Sequence, residues 1–171
     1  VKISEECTSF ALPDGSTSYA MKYTPWHEEA PDKKSNSELN SEYAMPLLYE
    51  TKAGTWGLIS EAAVNGSYCG GMLKGQGNGT VDVKFAPEQK SAVSAKLPFE
   101  SPWRFNVIGD ATDINENTMA ENLSPVCQVE ETSWIKPGVT GWTWLNKDPC
   151  DNPEVYKKYI DMAAEMGWSY I

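Results

Sequence analysis

TSWIKPGVTGWTW, residues 132–144, separates two kinds of pattern, and reading those patterns decides the fold class. Before it, short apolar–polar alternations broken by glycine, proline and asparagine carry the period-two signature of half-buried strands. After it, the pattern changes to strand followed by helix. Lys136-Pro137-Gly138 stands at the change, where proline and glycine interrupt either element, so a domain boundary is expected there. The expected organisation is a β-sandwich portion at 1–131, a linker at 132–138 and the start of an α/β domain at 139–171.

Working outward toward the C-terminus, Val139, Gly141, Thr143 and Leu145 alternate with Thr140, Trp142 and Trp144, which predicts a strand over 139–145. A helix follows. Asn152 is a good N-cap, Pro153 suits the first helical position, Glu154 complements the dipole, and Gly167 stands where the helix would end. Val155, Tyr159, Met162, Ala163 and Met166 fall at i, i+4, i+7, i+8 and i+11, predicting one buried stripe. Trp168-Ser169-Tyr170-Ile171 then opens a further strand. A β-α-β unit needs a parallel sheet to complete it, so the chain is expected to be a piece severed inside an α/β domain, with its natural start upstream of Val1.

Working outward toward the N-terminus, residues 2–23 predict a hairpin of two short strands around Leu12-Pro13-Asp14-Gly15. Residues 24–41 are too polar to pack a core and predict a long surface loop. Residues 42–62 give the clearest hairpin, turning at Lys52-Ala53-Gly54, with Pro46 marking an edge strand or a bulge. On its second strand Gly57, Ile59 and Glu61 share a face, opposite Trp56, Leu58 and Ser60. Glu61 therefore ends a strand among apolar neighbours, just before the loop NGSYCGG at 65–71. A carboxylate in such a place costs free energy unless it is paired, hydrogen-bonded or bound to a metal. The alternative is that it sits at the strand mouth in water.

The β pattern continues over 71–109. The turn GQGNGT at 75–80 lacks the Lys-Ser/Thr and the helix of a phosphate loop and reads as a β-turn. Val81, Val83 and Phe85 alternate after it. Further on, Trp103, Phe105 and Val107 oppose Arg104, Asn106 and Ile108. Residues 112–123 predict a short helix or helical turn, and 126–129 a strand. Several short strands with regular turn signals predict a mainly β fold, an antiparallel β-sandwich.

Composition agrees and excludes. The 171 residues allow one domain, or one plus the start of another, and seven Trp and eight Tyr supply large core side chains. A net charge of −10 argues against a nucleic-acid partner, which requires a basic face. Four cysteines without a C-x-x-C pair, and a single histidine, His27, argue against a zinc site and predict free, buried thiols. No apolar run approaches the roughly 18 residues that span a bilayer, and the first residues lack the pattern of a signal peptide.

GLISEAA at 57–63, PWR at 102–104, ENLSP at 121–125, TSWIKPG at 132–138, the Trp142-Thr143-Trp144 pair and YIDMAAEMGW at 159–168 together resemble glycoside hydrolase family 97, bacterial α-glucosidases and α-galactosidases. The resemblance implies a mutarotase-like N-terminal β-sandwich, a central (β/α)8 barrel and a small C-terminal β domain. This chain would hold the later part of the sandwich and the first β-α unit of the barrel. It also implies an active-site calcium ion with one glutamate ligand from the sandwich, a role that falls on Glu61; hard cations prefer such oxygen ligands. The family's catalytic carboxylates would lie beyond Ile171, so none is assigned here and the chain alone is expected to be inactive.

In a barrel, binding groups gather at the C-terminal ends of strands. Trp144 is thus a candidate substrate-binding wall, or else packs sandwich against barrel together with Trp142. The implied partners are an oligosaccharide or glycoside substrate and the remaining catalytic domain, in a bacterial periplasmic or secreted setting. The competing class is a non-catalytic carbohydrate-binding or structural β-sandwich module.

Overall fold

Alternation in the sequence becomes antiparallel pairing in the computed structural model of the chain, which describes residues 1–89 and 93–171. Part of the β pattern expected over 71–109 falls at 90–92, outside the described residues. The chain divides into two compact units, Val1–Val126 and Cys127–Ile171.

The first unit carries strands β1 (Lys2–Ile3), β2 (Ser9–Ala11), β3 (Thr17–Ala20), β4 (Asp32–Ser35), β5 (Glu42–Tyr43), β6 (Leu47–Glu50), β7 (Trp56–Ala62), β8 (Gly71–Gly75), β9 (Thr80–Phe85), β10 (Val93–Ser94) and β11 (Trp103–Gly109), then helices α1 (Ala111–Glu116) and α2 (Met119–Leu123). Among the described residues these strands form a five-stranded sheet ordered β11-β7-β6-β3-β4, a four-stranded sheet ordered β2-β9-β8-β5, and a β1-β10 pair. Leu47, Tyr49 and Ile59 of the first sheet and Tyr43, Leu73, Val81 and Val83 of the second form one core cluster. The architecture is the expected β-sandwich, and burying each large apolar side chain in it contributes roughly 1.5–3 kcal/mol.

Hairpin β6–β7 forms as expected, closed by Thr51 N–H to Thr55 O at 2.8 Å, with Gly54 at φ 79°. Gly57, opposite Tyr49 in the register, has to lack a side chain. A Cβ there would lie 2.1 Å from Tyr49 Cζ, because the tyrosine ring lies across the glycine and fills the space it leaves. Hairpin β8–β9 also forms, around the glycine-rich turn.

Four expectations over residues 2–129 need correction. The 2–23 hairpin is a corner between sheets: β2 pairs with β9, whereas β3 pairs with β4 and β6. The Pro13–Ser16 turn exists, but Leu12 is buried and its N–H bonds Gly79 O at 2.8 Å, which ties the first arm to the opposite sheet. The segment 42–50 is likewise split, with β5 and β6 in different sheets and Pro46 between them. The 24–41 loop contains edge strand β4 and the fully buried Leu39; an edge tolerates the charges that made it look unstructured. Finally, 126–129 makes no strand.

The second unit contains a 3-10 turn at Thr143–Asn146 and helix α3 (Pro153–Met166). The α3 caps are as expected: Asn152 Oδ1 accepts from Glu154 N–H at 3.0 Å, Pro153 starts the helix, and Gly167 ends it at φ 68°. Its stripe is only partly covered, for Ala163 is buried while Met166 is 62% exposed. The strand predicted at 139–145 is reduced to a parallel bridge between Thr140 and Tyr170, with Thr143–Asn146 in the 3-10 turn. Lys147, left-handed at φ 58°, turns its N–H back onto the Thr143 and Trp144 carbonyls, which removes them from sheet pairing. A full first barrel strand is thus absent from the described residues. The bridge is parallel, the sense a β-α-β unit demands, with Gly141 N–H donating to Tyr170 O at 3.3 Å. All four cysteines are free, but only Cys69 is even half-buried; Cys7, Cys127 and Cys150 are exposed, because they stand in irregular segments that no layer covers.

Candidate functional site

Glu61 lies near the end of β7, directly opposite Arg104 of β11 in the antiparallel register. Partners in register project to the same side of a sheet, so strand pairing alone brings this carboxylate and this guanidinium together. Arg104 Nη1 donates to Glu61 Oε2 at 2.7 Å, while Nε and Nη2 fork onto Glu6 Oε1 and Oε2 at 2.7 and 2.8 Å. The Arg104 side chain is 5% exposed, with Glu6 at 12% and Glu61 at 19%. Tyr68 packs against the guanidinium, 5.9 Å from its ring centroid, and donates its hydroxyl to Glu6 Oε2 at 3.0 Å.

Two carboxylates thus share one cation, and the cluster keeps a net negative charge. Burial raises the Glu61 carboxyl above the ordinary carboxylate range; the Gly71 N–H and the Arg104 charge act against the rise, and Glu6 adds to it. Burial works against the Arg104 charge, but the Glu6 hydrogen bond and the two carboxylates outweigh it, and its pKa is raised. The Tyr68 hydroxyl is pushed up to about 12, by burial first and then by its bond to Glu6.

Gly71 N–H approaches Glu61 Oε2 at 3.0 Å and Oε1 at 3.3 Å. Oε2 is therefore occupied by two good donors, whereas Oε1 has only the longer contact. Glu61 lines a cavity of about 410 Å3 together with Tyr23, His27, Cys69, Gly70 and Glu88. Tyr23 donates to Glu88 Oε2 at 2.8 Å, and burial followed by that contact pushes its hydroxyl up to about 12. Among the described residues, no group of three or more His, Cys, Asp or Glu side chains is arranged to hold a metal ion. Calcium takes six to eight oxygen ligands, so the residues present fit it only as contributors of Glu61 Oε1 to a larger set.

Sequence reasoning picks out Glu61 but misses Arg104 and Glu6. The available signal was that Arg104 is the only arginine in a chain with 24 acidic residues, on a strand that can pair with β7. Trp144 lies in the second unit, 61% exposed, beside a cavity of about 350 Å3 that Lys147, Asp148 and Cys150 also line.

The family model described as glycosyl-hydrolase 97 N-terminal matches residues 1–125. The chain belongs to glycoside hydrolase family 97. Its family 97 sequence is 32% identical over 170 residues to a probable retaining alpha-galactosidase of Streptomyces bingchenggensis, covering 97% of this chain and 26% of that relative. A retaining alpha-galactosidase of Bacteroides thetaiotaomicron is 34% identical over 86 residues, 43% of this chain and 12% of its own. The fold matches a family 97 enzyme from Pseudoalteromonas sp. strain K8 solved with acarbose, at TM-score 0.81 and 22% identity, covering 98% of this chain and 28% of that one. The family 97 chain described here thus spans about a quarter of the length of two of these relatives. No described helix is long and apolar enough to cross a membrane.

Proposed function

We propose that this chain is the sandwich portion and barrel opening of a calcium-dependent glycoside hydrolase acting on α-galactosides or α-glucosides, and that it is inactive by itself. The observation that carries the reading is that similarity to a retaining alpha-galactosidase runs through 97% of the chain, past the sandwich and into α3. A carbohydrate-binding or purely structural sandwich would account for the first unit but not for relatedness that continues through the second.

Within that function Glu61 supplies one oxygen, Oε1, to a calcium ion whose other ligands come from the remaining catalytic domain. When bound, the ion supplies a hard positive charge that orients sugar hydroxyls and favours developing negative charge. Arg104 and the Gly71 N–H fix the Glu61 carboxylate chiefly through Oε2, which leaves Oε1 with only the longer Gly71 contact. Trp144 offers an apolar wall to the sugar ring. Hydrolysis requires two carboxylates across the scissile bond, and this chain contributes neither. The proposed setting is the bacterial periplasm or exterior, where the oligosaccharide or glycoside substrate is met.

The test is to express the natural reading frame through and beyond Ile171 and to assay aryl α-galactosides and α-glucosides. The longer protein is expected to hydrolyse one of them, to lose activity with a calcium chelator and regain it with calcium. The 171-residue chain is expected to show none. Turnover by the short chain, or a frame that ends soon after Ile171, overturns the reading.

A further inference from the structure

A second cavity opens at the start of β11. It holds about 650 Å3 and is walled by Trp103, Phe99, Glu6, Glu100, Thr8 and Ser101, a size within the range typical of small-ligand pockets. It meets the ion-pair cluster from the Glu6 end of Arg104, whereas the cavity described above meets it from the Glu61 end. We propose that this second cavity is a saccharide-binding subsite, separate from the Glu61 cavity.

The chemistry of its walls selects the ligand class. Trp103 begins a strand yet is 56% exposed in this chain, so part of its indole surface is available to the cavity. An indole is a surface on which the C–H side of a pyranose ring can stack. Phe99 stacks on Tyr68 with centroids 6.0 Å apart and rings inclined by 19°, so this part of the wall is held by the sandwich. Glu100, Thr8 and Ser101 line the same cavity, and carboxylate and hydroxyl groups can exchange hydrogen bonds with sugar hydroxyls.

Other ligand classes fit less well. Among the described residues that line the cavity the one cation, Arg104, is committed to Glu6 and Glu61 and is not available to compensate a phosphate or sulfate, and Glu6 and Glu100 repel both. A lipid or hydrocarbon would strand the carboxylates and hydroxyls without partners. A neutral polyhydroxylated ring satisfies both halves of the wall. Every wall residue named belongs to the first unit, so the subsite stands apart from the hydrolase reading.

The experiment is a ¹H–¹⁵N titration of the 171-residue chain with melibiose and, separately, maltotriose, following the seven tryptophan indole N–H signals. Trp103→Phe assigns the signal of interest. The expected result is a saturable shift of the Trp103 indole and of the backbone amides of residues 99–104 with at least one sugar; followed by those amides, the affinity is weakened about tenfold in Trp103→Ala, which corresponds to roughly 1.4 kcal/mol. Glu100→Gln is expected to weaken it about threefold, a loss of the size of one net hydrogen bond, while Trp134→Ala, at an exposed tryptophan of the second unit, leaves it unchanged. The amide spectrum of each variant checks that the sandwich is intact; if Trp103→Ala fails to fold, Glu100→Gln, read from the Trp103 indole, and Trp103→Phe, read from the backbone amides, carry the comparison. No saturable shift, a shift that survives the Trp103 and Glu100 substitutions, or an equal response to glycerol overturns the proposal.

Discussion

Arg104→Met leaves the volume of the arginine stem largely filled while removing the charge that two carboxylates share. Glu6 would keep the Tyr68 hydroxyl and Glu61 would keep the Gly71 N–H, so neither is wholly without a donor. Both, however, would be left in surroundings where only 12% and 19% of their side-chain surfaces are exposed. Removing one member of a buried ion pair typically costs about 3–5 kcal/mol, because the remaining charge stays buried. The retained donors argue for the lower half of that range. The cost should depend on pH with a definite sign. Burial already raises the Glu61 carboxyl and the Arg104 charge acts against that rise, so without Arg104 its folded-state value stands higher still, and the variant is most stable below the unfolded value and loses stability as pH rises through the folded one. Urea unfolding followed by tryptophan fluorescence at two pH values measures this. The expected loss is about 3 kcal/mol at neutral pH, clearly smaller near pH 5, with an unchanged denaturant slope. A loss below about 1 kcal/mol, or the same loss at both pH values, refutes the view that Arg104 holds two buried charges.

Glu61→Gln should behave differently. The amide oxygen can still accept from Gly71, Arg104 keeps its fork on Glu6, and burial already raises the Glu61 carboxyl, so the change at neutral pH should stay within about 1 kcal/mol. Because stability from a raised carboxyl is present at low pH and lost as pH rises through its folded value, the comparison should shift in the variant's favour at higher pH. A loss matching that of Arg104→Met in urea unfolding contradicts this. Gly57→Ala should destabilise by about 1–3 kcal/mol in the same assay, since its Cβ would meet the Tyr49 ring at 2.1 Å. Adding Tyr49→Leu should restore part of that loss, and failure to do so argues against the ring contact as the cause.

The elements legible in the sequence are those fixed by neighbours along the chain. The caps of α3 need only Asn152, Pro153 and Gly167, and hairpins β6–β7 and β8–β9 need only a turn between two alternating runs. What alternation does not encode is which sheet a strand joins, so β2 and β3 were expected to pair and instead lie in different layers. The same holds at 139–145, where period two is present but Lys147 closes a 3-10 turn. In the candidate site, Glu61 is visible because its misfit is local to one strand. Its partners are not, because Arg104 is 43 residues from Glu61 and 98 from Glu6, and only register brings them together.

Those separations also bear on synthesis. A chain made from its N-terminus presents Glu6, then Glu61, long before Arg104, and domains tend to fold as units while they emerge. During that interval β7 has a free edge where β11 will later pair, and Glu61 has no cation beside it. The arrival of β11, which begins with Trp103 and Arg104, supplies the missing edge strand and the countercharge together, so the sandwich is secured late, by the same strand that opens onto its second cavity.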